Sequence, residues 1–135
     1  GGALGRRLLT HVRDVMHTDA DLPCVNPDSA LADAVLAISR GSLGMTVVCD
    51  TNDKVLGIFT DGDLRRAFAK QLDLRQVRVR DVMTTDPKTI SADRLAVEAV
   101  ALMEKHRINQ LIVTDAQGVL EGALNMHDLF RAKVV

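Results

Sequence analysis

The sequence has few aromatic residues, with no tryptophan, no tyrosine and three phenylalanines among 135 residues. Proteins that bind single-stranded nucleic acid stack the bases on aromatic side chains, so this composition argues against that class. The 17 basic and 18 acidic residues leave a net charge of -1, which is too small to attract nucleic acid or an acidic membrane. No apolar run approaches the roughly 18 residues of a membrane span. We therefore expect no nucleic-acid partner and no membrane partner.

Cysteines and metal-ligand patterns are also scarce. Cys24 and Cys49 have no metal-ligand spacing, and without a secretory signal they indicate reduced thiols in the cytoplasm. We expect Cys49 in the core and Cys24 half-buried in a loop. His11 and His17 lack a cysteine or carboxylate at ligand spacing, so we predict no metal. No nucleophile elbow, glycine-rich phosphate loop or paired-carboxylate pattern is present, and we predict no catalytic residue in this chain alone.

The sequence repeats itself once. The segment VRDVM at residues 12–16 returns at residues 79–83, an offset of 67, and four later blocks match in the same order at an offset of 65. The change of offset places two extra residues of the first copy near residues 18–24. Such self-similarity indicates two structural copies. We predict a leader at 1–11, repeat one at 12–70, a linker at 71–78 and repeat two at 79–135.

Each copy is predicted to contain a helix, two strands and a second helix. Apolar residues at helical spacing predict the first helix of copy one behind a cap at Asp28 or Ser29. Thr60 is expected to cap the second helix, with Leu64, Ala67 and Phe68 on one face. Strands are expected at residues 46–49 and 55–59, and again at 111–113 and 119–124. The predicted fold class is α+β, with intertwined repeats related by pseudo-twofold symmetry, their sheets packed together and flanked by helices.

The most specific local signal is GIFTDGD at residues 57–63, which returns as GALNMHD at residues 122–128. In one interpretation Thr60 and Asp63 form a capping box at a helix start. In the other, the unpaired amides of the helix start receive a phosphate. Asp63 then accepts hydrogen bonds from a ribose diol, and Gly57 allows a close backbone approach. The residues alone leave both interpretations open.

This motif, set in a tandem repeat, resembles a CBS domain pair (Bateman module) over about residues 12–135. The resemblance implies a nucleotide ligand in clefts between the copies. It places Thr60 and Asp63 at one cleft and Asn125 and Asp128 at the other, with Asn125 standing where the family has Thr or Ser. The predicted ligand-binding residues are Gly57, Thr60, Asp61, Asp63 and Arg66 around the first motif, Asn125, His127 and Asp128 around the second, and His17, Met45, Thr46, Thr84 and Asn109 in the segments that enter the strands.

Further segments, GGALGRRLL at 1–9, DVMH at 14–17, LGMT at 43–46, GIFTDGDLRR at 57–66 and MHDL at 126–129, resemble the C-terminal half of arabinose-5-phosphate isomerases. In that family a sugar-isomerase domain precedes the CBS pair, and the product feeds Kdo synthesis for lipopolysaccharide. The resemblance implies a cytoplasmic, tetrameric parent enzyme whose isomerase domain is the partner of this chain. It also implies dimers of CBS pairs and makes residues 1–11 the end of a linker.

Two functions follow as hypotheses. In the first, the pair regulates the isomerase by binding CMP-Kdo, AMP or ATP between the repeats, with no cofactor required. Arg65, Arg66, Arg78 and Arg80 are then the candidates to meet the carboxylate of a sugar acid. In the second, the pair is a purely structural tetramerisation module without a physiological ligand.

Overall fold

The computed structural model describes residues 2–18, 21–41 and 43–135. Within these residues, the first copy and its leader contain α1 (Gly2–Leu9), α2 (Val12–Val15), β1 (Cys24–Val25), α3 (Leu31–Arg40), β2 (Met45–Cys49), β3 (Val55–Thr60) and α4 (Asp61–Ala69). After a 3-10 turn at Val79–Asp81, the second copy contains β4 (Thr84–Thr85), β5 (Thr89–Ile90), α5 (Ala96–His106), β6 (Gln110–Thr114), β7 (Leu120–Asn125) and α6 (Met126–Arg131). None of the helices in this described part is both long and apolar enough to cross a membrane.

Each copy is built around an antiparallel hairpin that an aspartate closes. β2 pairs with β3, and β6 pairs with β7. In the first hairpin, Asp50 Oδ1 accepts hydrogen bonds from the backbone N–H groups of Asn52 and Lys54 at 2.8 and 3.0 Å. Asp115 accepts the equivalent pair in the second hairpin. Because these side chains satisfy backbone donors of the turn, both hairpins form where the sequence predicts them.

The hairpins belong to two separate sheets. β1 adds parallel to β2, and β5 adds parallel to β6. The strand orders are β1-β2-β3-β4 in one sheet and β5-β6-β7 in the other. Helices flank both sheets, with α3 against β1 and β2, α4 against β3, and α5 against β6. This arrangement confirms the predicted α+β class.

The opening segment of each copy pairs with the sheet of the other copy. β4 opens the second copy and runs antiparallel to β3, with Thr84 opposite Ile58. His17 opens the first copy and exchanges two backbone hydrogen bonds with Ala123 of β7, at 2.8 and 3.1 Å. Each sheet is therefore completed by the other half of the chain, which makes the two repeats intertwined.

An apolar cluster between the two sheets contains residues of both copies. Met45, Val47 and Cys49 of β2 meet Ile112 of β6 and Ala123 of β7. The three β2 residues share one face of the strand because successive side chains of a strand point to opposite faces. Their common burial holds the two sheets together through the hydrophobic effect.

Two further apolar clusters each lie on the outer side of a sheet. Each of them contains a buried residue from the opening segment of the other copy. Val12 of the first copy is buried in the cluster of the second copy, and Val79 of the second copy is buried in the cluster of the first. The segment between the copies packs on the first cluster through Leu72, Leu74 and Val77. The connection is therefore part of the packed structure.

Two local expectations are wrong. The N-cap of α3 is Ala30, which makes no side-chain hydrogen bond, whereas the sequence predicted a cap at Asp28 or Ser29. The backbone of the connecting segment satisfies the start of this helix instead, because Leu31 N donates a hydrogen bond to Val77 O at 2.8 Å. Phe68 is 58% exposed and lies away from the buried face of α4. The two extra residues expected near positions 18–24 fall partly outside the described residues.

Gly57 and Gly122 make room for the exchanged segments. A Cβ atom at Gly57 would lie 2.8 Å from both Thr84 O and Met83 Sδ, and one at Gly122 would lie 2.8 Å from His17 O. Real Cβ atoms do not approach a backbone oxygen so closely, so glycine is required at both positions for the exchange of segments.

We expect Gly57→Ala to lower the free energy of unfolding by about 1–3 kcal/mol, because the added methyl group overlaps the backbone of β4. Gly5→Ala is the control, since nothing lies within 4 Å of a Cβ atom there and alanine is favourable in a helix. Urea denaturation measures the difference. Equal stability of Gly57→Ala and the wild-type protein would contradict the close approach.

Candidate functional site

Both repeated motifs form complete capping boxes. Thr60 Oγ1 accepts a hydrogen bond from Asp63 N at 3.3 Å, and Asp63 Oδ2 accepts one from Thr60 N at 3.0 Å. At the start of α6 the two corresponding distances between Asn125 and Asp128 are both 2.9 Å. The reciprocal bonds satisfy donors that a helix start leaves open. The capping interpretation is therefore confirmed at both motifs.

The Asp63 carboxylate also joins the two copies. It is 5% exposed, and its Oδ1 accepts hydrogen bonds from Arg66 at 2.6 Å and from the Thr84 hydroxyl at 3.2 Å. Thr84 belongs to β4 of the second copy, whereas Arg66 lies one turn along the same helix as Asp63. A carboxylate offers about four lone-pair positions, and these partners together with Thr60 occupy them.

The second motif repeats this arrangement with a different partner. Asp128 Oδ1 lies 2.8 Å from His17 Nε2 and 3.0 Å from Arg131 Nη2. Because a carboxylate only accepts, Nε2 of His17 is the donor. His17 comes from the first copy, as Thr84 comes from the second. The two motifs therefore share the capping box and the arginine, and they differ in the side chain that the other copy contributes.

A cavity of about 470 Å³ lies between the first motif and the second copy. This volume is within the usual range of about 300–1,000 Å³ for small-molecule sites. The first copy lines it with Ile58, Thr60, Gly62 and Arg66, and the second copy lines it with residues of two segments, Thr84 to Lys88 and His106 to Gln110. A ligand in this cavity would contact both copies at once.

The lining of the cavity is polar and carries more positive than negative charge. Arg66, Lys88 and Arg107 contribute three positive charges against the single negative charge of Asp86. Hydroxyl and amide groups come from further lining residues, Thr60, Thr84, Asn109 and Gln110. This lining suits an anionic ligand that also has hydrogen-bonding groups.

Four of the residues predicted for the ligand site line the cavity, namely Thr60, Arg66, Thr84 and Asn109. Asp63 does not line it, but is hydrogen-bonded to three of these four: Thr60, Arg66 and Thr84. The structure thus brings the first motif and the start of the second copy together around one space, and Asp63 supports its wall.

Other predicted site residues lie elsewhere. Met45 and Thr46 are fully buried and are not among the residues that line the cavity, so their contact with a ligand stays a prediction. Met45 packs between the sheets, and the Thr46 hydroxyl has no hydrogen-bond partner within the described part of the chain. The close approach at Gly57 is made by protein atoms of Met83 and Thr84.

Two predicted residues are on the surface beside the motifs. Asp61 is exposed in the first turn of α4, and its backbone N donates to Gly44 O at 3.3 Å. His127 is exposed in the first turn of α6, next to the buried Asp128. Neither side chain is among those that line the cavity of the first motif.

Three of the four arginines expected to meet a carboxylate, Arg65, Arg78 and Arg80, are not among the residues that line the cavity. Arg80 forms an ion pair with Asp28 at 2.5 Å, and Arg78 donates to Asp28 O at 3.0 Å. Lys88, His106 and Arg107 line the cavity instead, and sequence reasoning missed all three. Lys88 precedes β5, and His106 and Arg107 end α5. All three belong to the second copy and reach the first motif only because the two copies pack together, so they have no local signal.

Arg131 was also missed, although the sequence contains a signal for it. Arg131 follows Asp128 by three residues, as Arg66 follows Asp63, and both arginines bind the aspartate of their own motif. Extending the repeat by three positions therefore identifies it. Within the described residues no group of three or more His, Cys, Asp or Glu side chains could hold a metal ion.

The two thiols occupy adjacent strands near one another. Cys24 is exposed in β1, in contrast to the expected half-buried loop position, and Cys49 is buried in β2 as expected. Hydrogen bonding to Cys49 lowers the pKa of Cys24. The same hydrogen bond and burial raise the pKa of Cys49. Cys24 is thus the more acidic and the more accessible of the two thiols.

Comparison with known proteins identifies the class. The model of the CBS domain matches residues 12–70 and 79–135, so this chain belongs to the CBS domain family. Over all 135 residues it is 53% identical to arabinose 5-phosphate isomerase KdsD of Pseudomonas aeruginosa and 49% identical to that of Yersinia pestis. The chain spans 41% of the length of each of these relatives.

A solved structure supports the fold. The structure of CBSX2 in complex with AMP matches with a TM-score of 0.77 and 25% sequence identity, covering 91% of this chain and 95% of that one. The two intertwined repeats described above are therefore a CBS domain pair.

We expect Thr60→Ala to lower the free energy of unfolding by about 1 kcal/mol, because Asp63 N loses the hydroxyl that caps α4. Thr51→Ala removes the same atoms from an exposed turn position and should stay within about 0.5 kcal/mol of wild type. Chemical denaturation at equal protein concentration compares the two variants. A loss no larger for Thr60→Ala than for Thr51→Ala would contradict the cap.

Proposed function

We propose that this chain is the regulatory CBS pair of a longer arabinose 5-phosphate isomerase, and that a nucleotide or nucleotide-sugar binds between its repeats. The near 50% identity to KdsD enzymes over the whole chain supports the connection to that isomerase. In this proposal residues 1–11 end a linker from the isomerase domain, 12–70 and 79–135 are the repeats, and 71–78 join them. The parent is a cytoplasmic homo-oligomer, and this chain alone performs no catalysis.

The observation that carries the proposal is the cavity of about 470 Å³ bounded by both copies. A ligand there bridges Thr60 and Arg66 of the first copy to Thr84 and Asn109 of the second. Its binding therefore favours one relative placement of the copies, which the attached domain can sense. A difference in affinity of about 1–3 kcal/mol between two placements gives about 5–150-fold coupling, so the requirement is modest.

The groups at the first motif match the parts of a nucleotide. The Thr60 hydroxyl and the Arg66 guanidinium can bind a phosphate at the start of α4, where backbone amides add to the attraction. The Asp63 carboxylate can accept hydrogen bonds from both hydroxyls of a ribose. Since Arg66 and Thr84 hold this carboxylate, the sugar hydroxyls would replace these contacts, and Arg66 would turn to the phosphate.

Two kinds of ligand have support. CBSX2 is described in complex with AMP, which favours an adenine nucleotide such as AMP or ATP. The similarity to KdsD enzymes favours CMP-Kdo, because Kdo synthesis uses the product of that isomerase and its activated end product would give feedback. No cofactor is needed in either case.

A purely structural role is the second candidate function. Both capping boxes are complete, and Asp63 and Asp128 each have partners from both copies without a ligand. These contacts account for the repeated aspartates by stability alone. In that role the pair would hold an oligomer together and bind no nucleotide.

We expect isothermal titration calorimetry to detect binding of AMP, ATP or CMP-Kdo to the wild-type chain, and Asp63→Ala to abolish it, because the ribose loses its acceptor. A ligand at 100 times its Kd should stabilise the wild-type fold by about 2.7 kcal/mol. Glu98→Ala is the control, since it also removes a carboxylate that accepts a backbone N–H at a helix start, lies outside the residues that line the cavity and should retain binding.

The structural role makes the opposite prediction. If none of the three nucleotides binds the wild-type chain below about millimolar concentration, the sensing proposal is wrong. Regulation is tested in the full-length polypeptide, where the ligand that binds should change the isomerase rate of the wild-type protein and have no effect on Asp63→Ala.

A further inference from the structure

We infer that the cavity of the first motif selects a nucleotide whose first phosphate is followed by a second anionic group, and that Lys88 and Arg107 recognise that group. This inference rests on the proposed function and specifies its ligand. The second anionic group can be another phosphate or the carboxylate of a sugar acid, because both present oxygen anions to the same cations.

The positive charges in the cavity differ in their partners. Arg66 donates to the buried Asp63 at 2.6 Å, so it belongs to the motif itself. Lys88 and Arg107 line the same space, and neither forms an ion pair with any residue that the structure describes. These two cations are therefore available to a ligand.

The backbone fixes the place of Arg107. It ends α5 in the left-handed conformation at φ 55° and ψ 45°, and its N–H donates to Glu104 O and Met103 O. The end of the helix therefore fixes the backbone of Arg107 beside the cavity. Lys88 precedes β5 directly, and β5 is held in register by its pairing with β6. Both cations are thus presented by ordered elements.

Aligning the two copies shows which cations of the cavity have a counterpart in the other copy and which do not. In the strand register Thr89 faces Ile112 and Cys24 faces Val47, so the repeats align at an offset of 65. Arg66 then corresponds to Arg131, which binds its own aspartate in the same way. The counterparts of Lys88, His106 and Arg107 at that offset are Pro23, Gly41 and Ser42.

The arginine that both copies share and the cations found in one copy therefore bind different parts of a ligand. The shared arginine is sufficient to bind the first phosphate of a nucleotide at either motif. The unshared cations add two positive charges to the cavity of the first motif only, and each can form a charge-assisted hydrogen bond with an anionic group. A nucleoside monophosphate leaves these charges without a partner, whereas a second anionic group pairs with them. The second motif has no cation at the three corresponding positions, and we expect no ligand to bind beside it.

The test compares ligands that differ by one anionic group, using isothermal titration calorimetry on the chain. We expect ADP to bind at least about tenfold more tightly than AMP, or CMP-Kdo at least about tenfold more tightly than CMP, with one ligand per chain. The pair of ligands that shows this gain in affinity identifies whether the second anionic group is a phosphate or a carboxylate. In the double variant Lys88→Gln/Arg107→Gln, the gain in affinity should fall below about threefold, because the two positive charges are gone while the side-chain lengths remain similar.

The control variant is Lys54→Gln/Arg75→Gln, which removes the same two charges from exposed positions outside the cavity and should keep the gain. Urea denaturation confirms that both double variants fold, and Lys88→Gln alone provides a milder test. If AMP and ADP bind equally, and CMP and CMP-Kdo also bind equally, the inference is wrong and the proposed function stands. If no nucleotide binds at all, the proposed function fails first.

Discussion

The close backbone approach at Gly57 and Gly122 is the constraint on which the rest of the structure depends. At these glycines the opening segment of each copy lies against a strand of the other, in contact with Met83 and Thr84 in one case and with His17 in the other. This contact brings Thr84 to Asp63 and His17 to Asp128. It also forms the cavity, because residues that belong to different copies reach one space only after the segments have been exchanged.

The aspartate of the first motif stabilises the fold and, in the proposed function, also binds the ligand. Asp63 closes a capping box, pairs with Arg66 and holds Thr84 of the other copy. A buried carboxylate with this many donors is well compensated for the loss of water. The same carboxylate is the acceptor that a ribose would require. In the proposed function, stability and ligand binding therefore depend on the same carboxylate, and a bound nucleotide would replace one set of its partners with another.

The sequence predicted most of the fold because the repeat, the hairpin turns and the two capping boxes are local patterns. Local patterns could not predict contacts between distant parts of the chain. The backbone at Val77 caps α3, and the cations Lys88 and Arg107 reach the cavity from the other copy. Met45 and Thr46 do not line the cavity for a related reason. They start a strand beside the cleft, but both of its faces are covered by other elements.

The pairing of His17 with Asp128 joins positions 111 residues apart in the chain, and this distance has a consequence for how the protein is made. On the ribosome, the first copy lacks its fourth strand until residues 84–85 have emerged, so it cannot finish folding when its own sequence is complete. The second copy finds its missing piece already synthesised. Contacts between such distant positions slow folding, and the two halves acquire their final structure together rather than one after the other.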